Sequence, residues 1–172
     1  MQGYSYKFVQ LLKIMTRKAA SFFMFLALLI GGFASAQILT PVKWTWHAEP
    51  IANSPNEYKL IFTATVDKKW HTYSQYIKEG GPVATKFSFE KNNDILLEGK
   101  TSETGGKVFE GHDPVFNMQI KYFEEKMVCE QKVKVLKDTK LKGTLEFMAC
   151  DDSRCLPPDD QDFEFALKPG HK

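Results

Sequence analysis

Two cysteines, Cys150 and Cys155, flank the four residues "DDSR" inside the stretch "FMACDDSRCLPPDD", residues 147 to 160. An apolar run precedes them and a proline pair follows. A pair at this spacing does one of two things: it cross-links the chain permanently, or it is opened and closed by the thiols of other proteins. A third cysteine, Cys129, makes the count odd, so at least one thiol is left over. Which chemistry applies depends on the compartment and on where the fold holds the pair.

The N-terminus speaks to the compartment. Residues 1 to 36 carry four basic side chains (Lys7, Lys13, Arg17, Lys18), no acidic ones, and then the uncharged run "AASFFMFLALLIGGFASAQ". This is the layout of a secretory signal, with the small residues of "ASA" placing cleavage after Ala36. An uncleaved anchor is the alternative, because no charge occurs from Ala19 through Leu39. Met15, followed by "TRKAA", would itself make an ordinary signal start, so residues 1 to 14 read as an over-extended start. The expectation is a signal peptide over 1–36 and one exported, periplasmic domain over 37–172.

Losing four positive charges from a chain with 23 basic and 21 acidic residues turns a net +2 into about −2. No basic patch that could track phosphates stands out, which excludes nucleic acid as a partner. A domain of this size buries roughly two-thirds of its unfolded surface and does not need a disulfide to stay folded.

Strand signals dominate the rest. "VKWTWH" (42–47) sets Val42, Trp44 and Trp46 against Lys43, Thr45 and His47; "YKLIFTATV" (58–66) alternates Tyr58, Leu60, Phe62, Ala64 and Val66 with their neighbours. Further strands are expected at 85–89, 94–99, 116–123, 126–136, 142–150 and 162–167. The turn signals "NSPN", "EGGP", "KNND", "TGG", "KDTK" and "LPPDD" separate nearly all of them. No stretch keeps a helical period. The pattern predicts an all-β fold, an antiparallel β-sandwich of immunoglobulin-like arrangement.

In that frame Cys129 shares the alternation phase of Met127, Val133 and Val135, so it reads as an inert buried thiol. Cys150 and Cys155 are the remaining pair. The strand ending at Cys150 and the segment running from Cys155 to Phe163, Phe165 and Leu167 are joined by the polar "DDSR" turn, and antiparallel neighbours bring Cβ atoms to disulfide distance. Pro157 and Pro158 cannot donate to a ladder, which puts the pair near a sheet edge. A loop this short yields only about 2 kcal/mol of chain-entropy stabilisation, against nearly 5 kcal/mol for a hundred-residue loop. That favours a working pair over a staple, although a structural hairpin disulfide is not excluded. Zinc fits poorly, since His47, His71, His112 and His171 are scattered singly. Arg154 would lower a thiol pKa here, whereas Asp151, Asp152, Asp159 and Asp160 would raise it, so a docked partner is needed for fast exchange.

"KKWHTYSQ" (68–75), "GGPVATKFSF" (80–89), "GHDPVFNMQIKYF" (111–123) and "LEFMACDDSRCLPPDDQDFEFAL" (145–167) together resemble the N-terminal periplasmic domain of the thiol:disulfide interchange protein DsbD, over nearly all of the mature chain. The resemblance implies an immunoglobulin-like sandwich whose cysteine pair accepts electrons from a thioredoxin-like protein and passes them to oxidised exported proteins. By that similarity Cys155 forms the mixed disulfide and Cys150 resolves it. The family covers its pair with a mobile cap loop bearing an aromatic residue; "GHDPVF" would be that loop here, with Phe116 as the shield, Val115 as the fallback, and His112 and Asp113 beside it to tune the thiols. An apolar lid of this kind excludes water and small oxidants.

Two departures stand out. The best-known members separate their cysteines by one residue more, and they continue into a membrane domain and a thioredoxin-like domain that this sequence does not carry. Electrons are then expected from a separate membrane-bound donor, delivered to a monomer with no cofactor and no metal. Cytochrome maturation, disulfide repair and peroxide defence are all open as the process served. The competing reading is a noncatalytic β-sandwich binding module stiffened by a hairpin disulfide. A cysteine hydrolase lacks any local signature for its histidine base.

Overall fold

The computed structural model describes residues 39 to 170. The signal peptide read over 1–36 lies outside them. The described residues form nine strands: β1 (Val42–Pro50), β2 (Glu57–Val66), β3 (His71–Tyr73), β4 (Lys86–Phe89), β5 (Ile95–Asp113), β6 (Met118–Val135), β7 (Thr139–Phe147), β8 (Ala149–Cys150) and β9 (Asp159–Leu167). All pairings are antiparallel. A six-stranded sheet runs β1-β2-β6-β3-β8 with β5 also on β6, and a three-stranded sheet runs β4-β7-β9. The fold is the all-β sandwich that the alternation predicts.

Its core lies between the two sheets because both present one apolar face. Trp44, Leu60, Phe62, Ala64, Met127, Cys129 and Val133 come from the large sheet; Leu141, Leu145, Phe147, Phe163, Phe165 and Leu167 come from the small one. Phe62 is the hub, with ring centroids 4.3 Å from Phe87, 4.9 Å from Phe163 and 5.4 Å from Phe165. Gly143 makes room for this packing. A Cβ there would lie 2.4 Å from the Phe163 ring and 2.4 Å from the Ser88 carbonyl.

Long β6 explains why the large sheet has two ends. Its C-terminal half pairs with β2, whereas Phe123 and Tyr122 near its start pair with Thr72 and Tyr73 of β3. The sequence reads 116–123 and 126–136 as separate strands. They are one strand, bent at Glu125, whose φ of 66° coincides with a register shift opposite Gly105 and Lys107. The "TGG" stretch is likewise no turn, since Gly105 lies inside β5.

The stretch 142–150, read as one strand, is divided between the sheets. β7 belongs to the small sheet; after Met148 the chain crosses over, and Ala149 and Cys150 join the large sheet beside β3. Thr72, fully buried, clamps the crossover by donating its hydroxyl to the Met148 carbonyl at 3.0 Å. This corner is where the cysteine pair sits.

Candidate functional site

Cys150 and Cys155 are joined by a disulfide, with Cα atoms 4.0 Å apart across an isolated antiparallel bridge. Backbone hydrogen bonds bracket the bridge on both sides: Leu156 N donates to the Ala149 carbonyl and Asp151 N to the Arg154 carbonyl, each at 2.9 Å. The intervening turn is shaped by Asp151, whose Oδ1 accepts from Ser153 N at 2.8 Å and Arg154 N at 2.9 Å. Those two donors hold the Asp151 carboxyl below its ordinary pKa. Arg154 reaches back over the Trp70 ring, 5.8 Å from its centroid, which ties the turn to the start of β3.

The two sulfurs are unequal. Cys150 is 1% exposed, whereas Cys155 is solvent-exposed. In the β3–β8 register Thr72 faces Ala149 and His71 faces Cys150. Thr72 and Ala149 are buried, and Ala149 is part of the main core. Side chains alternate along a strand, so His71 and Cys150 occupy the opposite, outer face of the large sheet. There Cys150 packs with Tyr73 and Ile120, flanked by Ile77, Met118, Tyr122 and Met148, in a small cluster separate from the main core.

A ribbon of rings leads from this cluster across the sheet. His71 stacks on Tyr122 at 4.1 Å and Tyr122 on Phe109 at 4.8 Å; His71 Nε2 lies 3.1 Å from the Tyr73 hydroxyl. Burial pushes the Tyr73 hydroxyl up to about 12 and keeps it protonated at neutral pH. Burial also lowers the His71 pKa, while Glu124, Asp152, Asp113 and Asp151 pull the other way. These rings were not singled out as site residues by the sequence. His71 and Cys150 meet only through nonlocal strand pairing, and the one available signal was the aromatic density of "WHTY".

The four residues of the expected cap separate. Gly111, His112 and Asp113 belong to the end of β5, and the tip of the β5–β6 hairpin is Pro114 to Asn117. Asp113 Oδ1 accepts from Val115 N at 2.7 Å and Phe116 N at 3.0 Å, so it builds the tip, and its charge also acts on His71 and Tyr73. His112 is exposed and pairs in register with Gln119. Val115 is 83% exposed. Phe116 is half-buried; a Cβ on Gly81 would lie 3.5 Å from its Cβ and closer still to Met118, which packs on the Cys150 cluster. Phe116 thus seats the tip on the "EGGP" loop.

Cys129 is fully buried on the inner face of the same sheet. Its thiol accepts a contact from Gln75 Nε2 at 3.6 Å, and burial drives its pKa far up. Among the described residues no group of three or more His, Cys, Asp or Glu is placed to hold a metal ion, and no helix is long and apolar enough to cross a membrane.

An all-β sandwich with one half-exposed disulfide at a strand crossover defines a class, that of immunoglobulin-like domains with an accessible disulfide at the sheet rim. The family model for the N-terminal domain of the thiol:disulfide interchange protein DsbD matches residues 37–167, and the chain belongs to this family of periplasmic thiol:disulfide interchange domains. Among solved structures, the N-terminal periplasmic domain of ScsB from Proteus mirabilis shares the fold, with a TM-score of 0.54 at 15% identity; the match covers 77% of this chain and 51% of that one. The chain therefore spans about half of that structure. The reduced DsbD N-terminal domain of Neisseria meningitidis gives 0.48 at 15% identity, covering 76% and 91%. The Neisseria complex of the DsbD and PilB N-terminal domains gives 0.45 at 17% identity, covering 80% and 94%. No curated protein matches the chain.

Proposed function

We propose that the domain is an exported electron relay in which Cys150 and Cys155 cycle between disulfide and dithiol. Electrons enter from a thioredoxin-fold donor, a separate membrane-bound protein, and leave to oxidised periplasmic proteins. The observation that carries this reading is the inequality of the two sulfurs: Cys155 is open to solvent and Cys150 is 1% exposed.

In the reducing half, a donor thiolate attacks Cys155 Sγ; a donor–Cys155 disulfide forms, the Cys150–Cys155 bond breaks, and Cys150 leaves with the electron pair as a thiolate. The donor's second thiolate then attacks the donor sulfur of the mixed disulfide, forming the donor's own disulfide and expelling Cys155 as a thiolate. In the oxidising half, Cys155 attacks the substrate disulfide and expels one substrate thiolate. Cys150 then closes on Cys155 and expels the second. Attack on Cys150 is disfavoured because its sulfur is covered by Tyr73 and Ile120.

Two features suit repeated opening. The bridge spans five positions, so its loss costs only about 2 kcal/mol of chain entropy. It also lies outside the main inter-sheet core. The hairpin tip carrying Phe116 and Val115, with His112 and Asp113 at its base, is the cap in this reading. It lifts when a partner competes for the outer face. Trapping tests the relay directly: Cys150→Ala, with Cys155 left free, should accumulate a discrete mixed disulfide with a thioredoxin-fold protein in the periplasm. Recovery of nonspecific adducts alone would remove the dedicated partner.

A further inference from the structure

β3 is only three residues long, yet it places His71 in register with the disulfide. His71 is the register partner of Cys150, and Cys150 is the bridge partner of Cys155. Three neighbouring segments thus present His71, Cys150 and Cys155 as one row on the outer face of the large sheet. Directly opposed residues in an antiparallel pair hold their Cβ atoms about 4.5–5.5 Å apart, within reach of an imidazole ring and a neighbouring sulfur. The ring is fixed in place by its stack on Tyr122 and by the Tyr73 hydroxyl at Nε2. A hydroxyl both donates and accepts, so Tyr73 suits either protonation state of the ring and engages Nε2 alone, leaving Nδ1 without a hydrogen bond to it.

Cys150 needs such a neighbour. At 1% exposure its thiol has almost no contact with bulk water, and a buried thiol ionises reluctantly. We propose that His71 is the proton partner of Cys150, taking the thiol proton as Cys150 attacks the mixed disulfide. This deepens the relay reading and rests on it. In the closing step the Cys150 S–H proton passes to the imidazole, its electron pair forms the bond to Cys155 Sγ, and the partner sulfur departs as a thiolate with the pair from the broken bond. The imidazolium so formed then gives its proton to solvent, as its lowered basicity favours, and the free base is restored.

The groups facing the ring fix the direction of the pH dependence. They are Tyr73 on its own strand, Tyr122 and Glu124 on β6, Asp113 at the end of β5, and Asp151 and Asp152 in the turn after β8; Lys107 on β5 is paired to Glu124 at 2.6 Å. Desolvation is the largest influence and depresses the ring's basicity despite the four carboxylates. At neutral pH the imidazole is therefore the free base. As pH falls through its depressed value, below the ordinary imidazole value of about 6.5, the base is lost and closure slows.

The experiment follows the reduced protein reacting with one equivalent of Ellman's reagent. The first thionitrobenzoate reports attack by Cys155, and the second reports closure by Cys150. His71→Phe keeps a ring on Tyr122 without a titrating group, and His71→Gln keeps hydrogen bonding without one. Both should leave the first phase unchanged, slow the second about tenfold or more at neutral pH, and replace the plateau above its acid limb by a rate that keeps rising with pH as the thiol itself ionises. A second phase of wild-type rate with its acid limb intact in either folded variant overturns the proposal. So does a wild-type second phase with no acid limb, which needs no variant to be seen. The relay reading fails separately, on a wild-type protein whose folded, reduced form gives no second phase at all.

Discussion

Cys129 and Cys150 belong to one sheet and are both almost wholly buried, yet they face opposite sides of it. Cys129 points inward among Phe62, Met127 and Val133, where the low-dielectric interior opposes ionisation and access is closed. Cys150 points outward, under a thin cover of side chains, and is bonded to a sulfur that solvent can reach. Burial alone therefore does not assign a thiol its chemistry. What separates the two is the face each occupies and the presence of an accessible partner sulfur, and both follow from the crossover at Met148 that turns the chain from the inner stack to the sheet rim.

The sharpest way to break this comparison is to remove the sulfurs one at a time. Cys155→Ala should abolish covalent exchange with any thiol partner, read as complete loss of mixed-disulfide bands on non-reducing gels. Cys129→Ala should leave the exchange rate at its wild-type value and cost about 1 kcal/mol of stability through a small cavity. Loss of exchange in folded Cys129→Ala would show that the inner thiol takes part after all.

The next effect should be confined to the inner face. Gly143→Ala drives a methyl into the Phe163 ring and the Ser88 carbonyl, and the backbone oxygen cannot rotate away. About 3 kcal/mol of destabilisation is expected in denaturant unfolding, from overpacking. The reduction potential of the Cys150–Cys155 pair, measured against glutathione on the folded variant, should hardly move, because the pair packs in the other cluster. A large shift in that potential would mean that the two faces are coupled.

Reducing the disulfide is the complementary change on the outer face. Folding should weaken by about 2 kcal/mol, the loop-closure contribution of so short a bridge. The reduced domain should still unfold cooperatively, as read by thermal melts with and without dithiothreitol. Collapse of the fold on reduction would return the pair to the role of staple.

Much of this arrangement is legible in the sequence because burial on one face leaves a two-residue period. Val42, Trp44 and Trp46, the Leu60 to Val66 series and the inward phase of Cys129 all appear as the alternation says. β5 beyond Gly99 escapes it, since only Ile95 of that strand is buried and an edge strand facing solvent writes no apolar period. Its Gly105 reads as a turn, but it is a close-approach position: a Cβ there would lie 2.3 Å from the Phe123 ring. The division of 142–150 escapes for a different reason. Leu145, Phe147 and Ala149 keep their alternation straight through the change of sheet, and only Thr72, distant in sequence, clamps the corner. The outer-face ribbon of His71, Tyr122 and Phe109 depends on three strands pairing and has no local signature.

The smallest expected effect lies in the turn that separates the two sulfurs. Asp151 accepts backbone hydrogen bonds from Ser153 and Arg154, and its folded-state pKa is lowered, first by the Ser153 bond. A carboxyl with a lowered folded value gives its full stabilisation above its unfolded pKa of about 3.9, and that contribution is lost as pH falls through the lowered folded value. The turn should therefore loosen only in acid, below the ordinary carboxyl value. Asp151→Ala should remove this acid-side step and, at neutral pH, quicken amide hydrogen exchange at Ser153 and Arg154 while leaving the amides of β7 and β9 unchanged. Because the side chain is solvated, the global stability change should be slight. Equal loosening in the strands would mean that the turn is part of the main cooperative core, and the contrast between a rigid inner face and a separately yielding rim would no longer hold.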